Sequence, residues 1–149
     1  MQEPTAASAT MKVIVFQLKD KEYAIPVQQV IAFEKMLPIT RVPHTPEYMK
    51  GVINLRGLII PIIDLRVRFG LEEQEESSST RIIIVSLNGM EVGLVVDAAN
   101  DVTDIPQDSV EPQPEVVGAV KTEFISGVAK IGNRLLILLN LEKVLNPND

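Results

Sequence analysis

Gly51-Val-Ile-Asn-Leu-Arg-Gly-Leu-Ile-Ile-Pro-Ile-Ile-Asp-Leu-Arg66 reads as a strand, a tight turn, a second strand and a capped helical turn. Arg56-Gly57 is the turn, because glycine takes a positive φ without steric cost. Leu58 to Ile63 is apolar on both faces of a strand, so it needs cover on both sides. Pro61 lacks an N–H for a ladder, which places it at an edge or beside a bulge. Asp64 is placed to cap a helical turn running through Phe69, and Gly70 to end it.

The stretch has an echo. Gly127-Val-Ala-Lys-Ile-Gly-Asn-Arg-Leu-Leu-Ile-Leu-Leu-Asn-Leu-Glu142 follows the same plan at a constant offset of 76 residues, and Asn140 falls on the capping position of Asp64. A second pair of segments matches at an offset of 69. Lys12 to Val27 and Arg81 to Val96 each read as a hairpin, with Lys19-Asp20-Lys21 and Asn88-Gly89-Met90 as the turns. The chain therefore reads as two similar units. The seven additional residues of the second unit fall in the Pro-rich stretch Ile105 to Gly118.

Between these blocks the signals are mixed. Val27, Val30 and Ile31 suit a helical face, while Val30 to Glu34 also suits a strand. The reading taken is one helical turn, then a strand from Val30. Pro38, Pro43 and Pro46 make the next stretch extended and loop-like. Glu72 to Thr80 is acidic and Ser-rich, a solvated linker between the units. Met1 to about Met11 reads as a disordered tail. The chain closes with a short helix capped by Asn140, ended by Pro147. Each unit then holds four or five short strands and one helical turn. Small closed barrels suit that pattern and remove sheet edges. A unit this small is marginal alone, and its strands are apolar on both faces. Two barrels sharing an apolar seam meet both needs, and such a seam leaves a groove where a partner can bind.

Composition narrows the function classes. Of 149 residues, 46% are hydrophobic but only 4% aromatic, so the core is aliphatic. The net charge of −6 argues against nonspecific binding to nucleic acid or an anionic membrane surface. No cysteine is present, which excludes disulfides, thiolate catalysis and Cys-based metal sites, and favours an intracellular home. No signal-peptide core and no membrane-spanning run are found, so a cytoplasmic protein is expected.

Chemistry-bearing patterns are scarce. His44 is the single histidine and lies in a Pro-rich loop with no nucleophile motif, so a loop-packing role is expected. A small hydrolase built on His44 would depend on it entirely. No metal-ligand spacing is seen, and Asp97, Asp101 and Asp104 read as solvated strand-end acids rather than a calcium loop. Gly51 to Gly57 lacks the Lys-Ser/Thr of a phosphate loop. Neither catalysis, a metal nor a cofactor is indicated. Charge is unevenly spread. Residues 40 to 70 hold Arg41, Lys50, Arg56, Arg66 and Arg68 against two acids, while residues 82 to 120 hold seven acids and no Lys or Arg. Such a dipolar molecule can associate head-to-tail with itself or a structural cousin and close rings; ordinary surface charge is the alternative.

With the double unit, the Asn54-Leu-Arg-Gly block, the Val92-to-Asp97 strand and the Leu135-to-Leu145 ending in hand, the chain resembles the CheW family of bacterial chemotaxis coupling proteins. The resemblance runs from Met11 to Asn146. It implies a single domain over 12–146, mainly β, made of two SH3-like five-stranded β-barrels around a shared apolar core, with short helical turns and a short C-terminal helix. The first subdomain is expected at about 12–70 and the second at about 81–146, with 71–80 as linker. The resemblance also implies an adaptor without catalysis, joining the cytoplasmic tips of methyl-accepting chemoreceptors to the regulatory domain of the histidine kinase CheA at membrane-associated arrays. That domain shares the fold, so rings with it are implied as well. The alternative is a scaffold of the same family in a non-chemotaxis chemosensory kinase pathway. A CheV-like adaptor would need a receiver domain, for which the chain has no room. Arg56 falls on the family's coupling arginine, and Asn54, Gly51 and Val30 on positions associated with partner binding. One departure is plain: Ala32 stands where many relatives carry an acid, with Glu34 two residues on along the same expected strand face.

Overall fold

The computed structural model describes residues 9–112 and 120–146. The tail expected over the first residues lies mostly outside these, but its end is strand. The strand β1 spans Thr10–Leu18 and pairs Met11 with Ile105. It is followed by β2 (Lys21–Pro26), a 3-10 turn over Val27–Gln29, β3 (Val30–Lys35), β4 (Met49–Leu55), β5 (Leu58–Asp64) and α1 (Leu65–Arg68). The second half holds β6 (Arg81–Leu87), β7 (Met90–Val96), β8 (Ala98–Pro106), a 3-10 turn, β9 (Val110–Glu111), β10 (Ile125–Ile131), β11 (Arg134–Leu139) and α2 (Leu141–Val144). Val27 to Leu37 resolves as expected, one helical turn and then a strand.

The strands form two sheets. Barrel I runs β8-β1-β2-β11-β10-β9 and barrel II runs β3-β6-β7-β5-β4. Barrel II closes through a bridge from Thr40 to Val52. Barrel I closes because β8 and β9 are consecutive pieces of chain around one 3-10 turn. The sequence pointed to five strands in each; barrel I has six because this bent segment counts twice.

The subdomain boundaries expected from the sequence need a larger correction. Neither 12–70 nor 81–146 makes a barrel. Each barrel takes a hairpin from one half and the remaining strands from the other. Strand β5 runs parallel to β7, with Ile62 beside Gly93, and β11 runs parallel to β2, with Leu138 beside Ala24. These two pairings are the same pair displaced by the offsets of 76 and 69, with the halves exchanged. The offset of 69 also persists beyond the hairpins. Lys35 pairs with Arg81 across β3 and β6, and Asp104 with Lys12 across β8 and β1. So β8 is the echo of β3, hidden in the sequence by its polar residues, and the additional residues of the second unit do come after it.

Strands apolar on both faces are explained by three cores. Val13, Val15, Ala24, Leu136 and Leu138 fill barrel I. Ile53, Ile60, Ile62, Ile82 and Ile84 fill barrel II. The alternate residues of the same strands, among them Ile14, Phe16, Tyr23, Ile63, Ile83, Leu94, Ile137 and Leu139, meet in the seam. Period-two alternation sends successive side chains to opposite faces, and here both faces are interior. Phe16, Tyr23, Phe69 and Phe124 form a row through the seam, with centroids 5.9, 5.8 and 5.3 Å apart. Desolvation there, with Asp20 nearby, pushes the Tyr23 hydroxyl up to about 12. Gly93 is required in barrel II, since a Cβ there would lie 2.5 Å from Ile62 and 2.8 Å from Ile82.

The helical turns sit at the ends of the seam. Asp64 caps α1, its Oδ1 accepting from the Arg66 and Val67 N–H groups, and Asn140 caps α2 through the Lys143 N–H. Burial raises the Asp64 carboxyl, against the pull of Lys50 at 3.7 Å. From α1, Arg68 lies 4.4 Å from the Tyr48 ring and 4.8 Å from Phe124. It donates to the carbonyls of Lys143, Val144 and Asn146. Carbonyls at a helix end are not fully satisfied within the helix, so Arg68, from the first half of the chain, helps complete the end of the second.

Candidate functional site

Arg56 stands at the tip of the β4–β5 hairpin, at φ 54, followed by Gly57 at φ 84. Two consecutive positive φ values give the tight turn that matches strand twist. The Oδ1 of Asn54 accepts from the Gly57 N–H at 3.1 Å, which holds the turn. The Arg56 side chain is 76% exposed and lies 4.0 Å from Glu34. Beside it Leu58 and Ile59 are 56% and 63% exposed. Ala32 and Glu34 share one half-buried face of β3, and Ile31 and Phe33 are exposed on the other. Glu34 is thus the carboxylate nearest the tip in a chain that has Ala32.

Gly51 and Val30 are placed differently. Gly51 is buried at φ 146, and a Cβ on it would lie 2.1 Å from the Thr40 carbonyl oxygen. Its absence of a side chain lets the segment after β3 close barrel II. Gly127 does the same in barrel I, where the intruding carbonyl is that of Glu111 at 2.8 Å. Val30 sits at a bulge between β3 and β6 and packs against the seam. Gly51 is therefore buried in barrel II and Val30 is half-buried against the seam, while Arg56 and Asn54 are exposed.

A second feature was legible only as a generic groove. Phe33 and Val102 occupy equivalent positions, 69 residues apart, and line one shallow cleft between the barrels with Ala99, Asn100 and Asp101. Phe33 is 44% and Val102 52% exposed. Four of the six aromatic side chains lie in the seam and Tyr48 is half-buried beneath Arg68, so Phe33 is the one exposed aromatic. Phenylalanine, like the other aromatics, is enriched in the cores of protein interfaces. What the sequence missed was β8, without which Val102 had no place beside Phe33.

The charge pattern is rearranged by the fold. Arg66 is buried and donates to both oxygens of Asp97, through Nε at 2.8 Å, and to the Glu72 carbonyl. Burial would raise the Asp97 carboxyl, but the hydrogen bonds from Arg66 and from the Lys19 N–H outweigh it and hold it low. Asp101 meets Arg134 at 2.9 Å and Asp104 meets Lys12 at 3.1 Å. All three acids are ion-paired; Asp101 and Asp104 stay exposed as expected, Asp97 is half-buried, and Arg66 and Arg68 face inward. Of the five cations counted over residues 40–70, Arg41 and Arg56 remain exposed. His44 is exposed in the loop before β4, at φ 61. Among the described residues no cluster of three or more His, Asp or Glu side chains is placed to hold a metal, and no helix is long and apolar enough to cross a membrane.

Residues 12–148 match the CheW-like domain family. A chemotaxis protein CheW of Bacillus subtilis is 45% identical, covering 91% of this chain and 86% of that protein. A chemotaxis protein CheW of Klebsiella aerogenes is 36% identical over 91% of this chain and 82% of its own length. Among solved structures, the scaffolding protein TtCheW of Thermoanaerobacter tengcongensis superposes with a TM-score of 0.88 at 39% identity, covering 94% of this chain and 95% of that one.

Proposed function

Since the chain belongs to the CheW-like domain family, we propose that it is a non-catalytic adaptor that couples methyl-accepting chemoreceptors to the histidine kinase CheA within chemotaxis arrays. The observation that carries the reading is the open end of barrel II: an exposed Arg56 flanked by exposed Leu58 and Ile59. Arginine ringed by apolar side chains suits a partner surface, since its planar fork pairs with carboxylates while its stem packs on carbon. Lys35 and Arg81 are also paired across β3 and β6, so this barrel favours an acidic, partly apolar partner. The regulatory domain of CheA, a structural cousin, fits that end, and ring formation with it follows from the same surface. The cleft at Phe33 and Val102 suits an amphipathic helix from a receptor tip. Such partners place the protein in the cytoplasm at membrane-associated receptor arrays.

The test is autophosphorylation of CheA with a receptor cytoplasmic fragment, with and without this protein. Strong stimulation that needs all three components is the expected result. Arg56→Asp should lose most of it while keeping the melting temperature. Full stimulation by a folded Arg56→Asp variant would sink the assignment of that end. No stimulation by the wild type with partners from the same source would sink the coupling itself.

A further inference from the structure

We propose that Glu72 to Ser79 is the hinge of a reciprocal exchange, through which two copies of this chain form a dimer with both barrels intact. The inference rests on the interleaving of the halves. Four strand pairs join residues before the linker to residues after it: β1 with β8, β2 with β11, β3 with β6 and β5 with β7. The seam likewise draws on both halves. Each half is therefore a complete surface for the other, and the other half of a second copy presents the same surface.

The joint between the halves adds little to this. Residues 72–79 are exposed throughout. Their ties, Arg66 to the Glu72 carbonyl and Lys50 to Glu73 at 3.5 Å, lie within the first half, and those among Ser77, Ser79 and Thr80, with Arg81 donating to the Ser78 carbonyl at 2.9 Å, are local. An exchanged dimer rebuilds all four strand pairs between copies, so the product loses none of them. The preference for one chain over two then depends on the hinge conformation and on protein concentration, the usual condition for domain exchange. Because all four pairs must be apart at once, exchange takes place during folding and not between folded monomers.

The chain has no cysteine, so an engineered pair reports which halves have met. Gln17 and Ala98 are direct partners across β1 and β8, in different halves, at a separation a disulfide can span. The full-length double variant Gln17→Cys/Ala98→Cys is unfolded, refolded over a range of concentrations and sized by light scattering. The separated monomer and dimer are then run on a non-reducing denaturing gel. The expected result is a dimer fraction that grows with concentration during refolding, does not grow on concentrating folded monomer, and runs as a covalent dimer. The monomer peak runs as a single chain. Monomer alone at every concentration overturns the proposal, as does a dimer whose disulfides close within each chain. Unmodified protein refolded in parallel gives the size distribution independently, and its failure to form a concentration-dependent dimer overturns the proposal even if the double variant does not refold.

Discussion

The two barrels have the same plan and opposite ends. In barrel I, Arg134 donates to Glu22 at 2.8 Å and to Asp101 at 2.9 Å, and Asn100 donates to Glu22 at 2.9 Å. These contacts, led by Arg134, hold the Glu22 carboxyl below its ordinary value, and Glu22 and Asp101 in turn raise Arg134. The equivalent positions in barrel II, by the offsets of 76 and 69, are Leu58 for Arg134, Ala32 for Asp101, Ile31 for Asn100 and Glu91 for Glu22. Three of the four polar partners have become apolar, and Leu58 and Ile31 are exposed. One copy of the fold satisfies its own end and the other leaves it open. The difference teaches that a duplicated scaffold needs few substitutions to turn a closed end into an open one, because the backbone that presents them is unchanged.

The strongest way to break this equivalence is at the paired glycines. Gly51→Ala puts a Cβ into the Thr40 carbonyl at a φ disfavoured for alanine, and should cost about 3 kcal/mol in urea unfolding from strain and overpacking together. Gly127→Ala meets a looser contact with Glu111 and Val110, and should cost about 1–2 kcal/mol. Equal costs would show that the two closures are not graded as the distances say. If coupling is lost only to the extent that the fold is lost, Gly51 acts from beneath the surface.

A smaller effect is expected from exchanging the two ends. Arg134→Leu imposes the barrel II pattern on barrel I. With the arginine side chain about one-third exposed, solvent screening limits the loss to about 1 kcal/mol or less. The depressed Glu22 carboxyl contributes stability above its unfolded value that is lost as pH falls through its folded one. Unmodified protein should therefore lose more stability than the variant on acidification below about pH 4.3. A constant gap across that range would refute the linkage. The reverse change, Leu58→Arg, gives Glu91 a partner and should lower kinase stimulation with little change in melting temperature. Undiminished stimulation would show that the open end is not used.

The least effect belongs to the caps. Asp64 and Asn140 do the same work, but burial raises the Asp64 carboxyl, so its charge opposes folding at neutral pH. Asp64→Asn should be neutral or stabilising by about 0.5 kcal/mol in thermal melts. The gap should close as pH falls and Asp64 protonates. A clear destabilisation would mean that the Lys50 contact outweighs burial.

Much of this was legible in the chain. The Arg56-Gly57 turn, the Asp64 and Asn140 caps and the repeat follow from residue types at fixed spacing, since turns and caps are local. The place of Arg56 at a turn was legible for the same reason, while Asn54 entered only through the family resemblance. Strand β8 was not, because Asn100, Asp101 and Asp104 break the apolar pattern; its polar residues are satisfied by Arg134, Lys12 and Glu22, which lie far off in sequence. The basic patch over residues 40–70 was overread for the opposite reason, since nothing local shows that Arg66 and Arg68 turn inward.

The sequence by itself determined the apolar strands, their turns and the need for cover on both faces, because φ/ψ preference and period-two alternation act between near neighbours. Which half supplies which strand was decided only in the tertiary structure. A repeat at constant offset is equally compatible with two separate barrels or two interleaved ones. The choice depends on parallel pairs such as Ile62 with Gly93 and Leu138 with Ala24, where the fit of distant side chains in the barrels and the seam selects the partner.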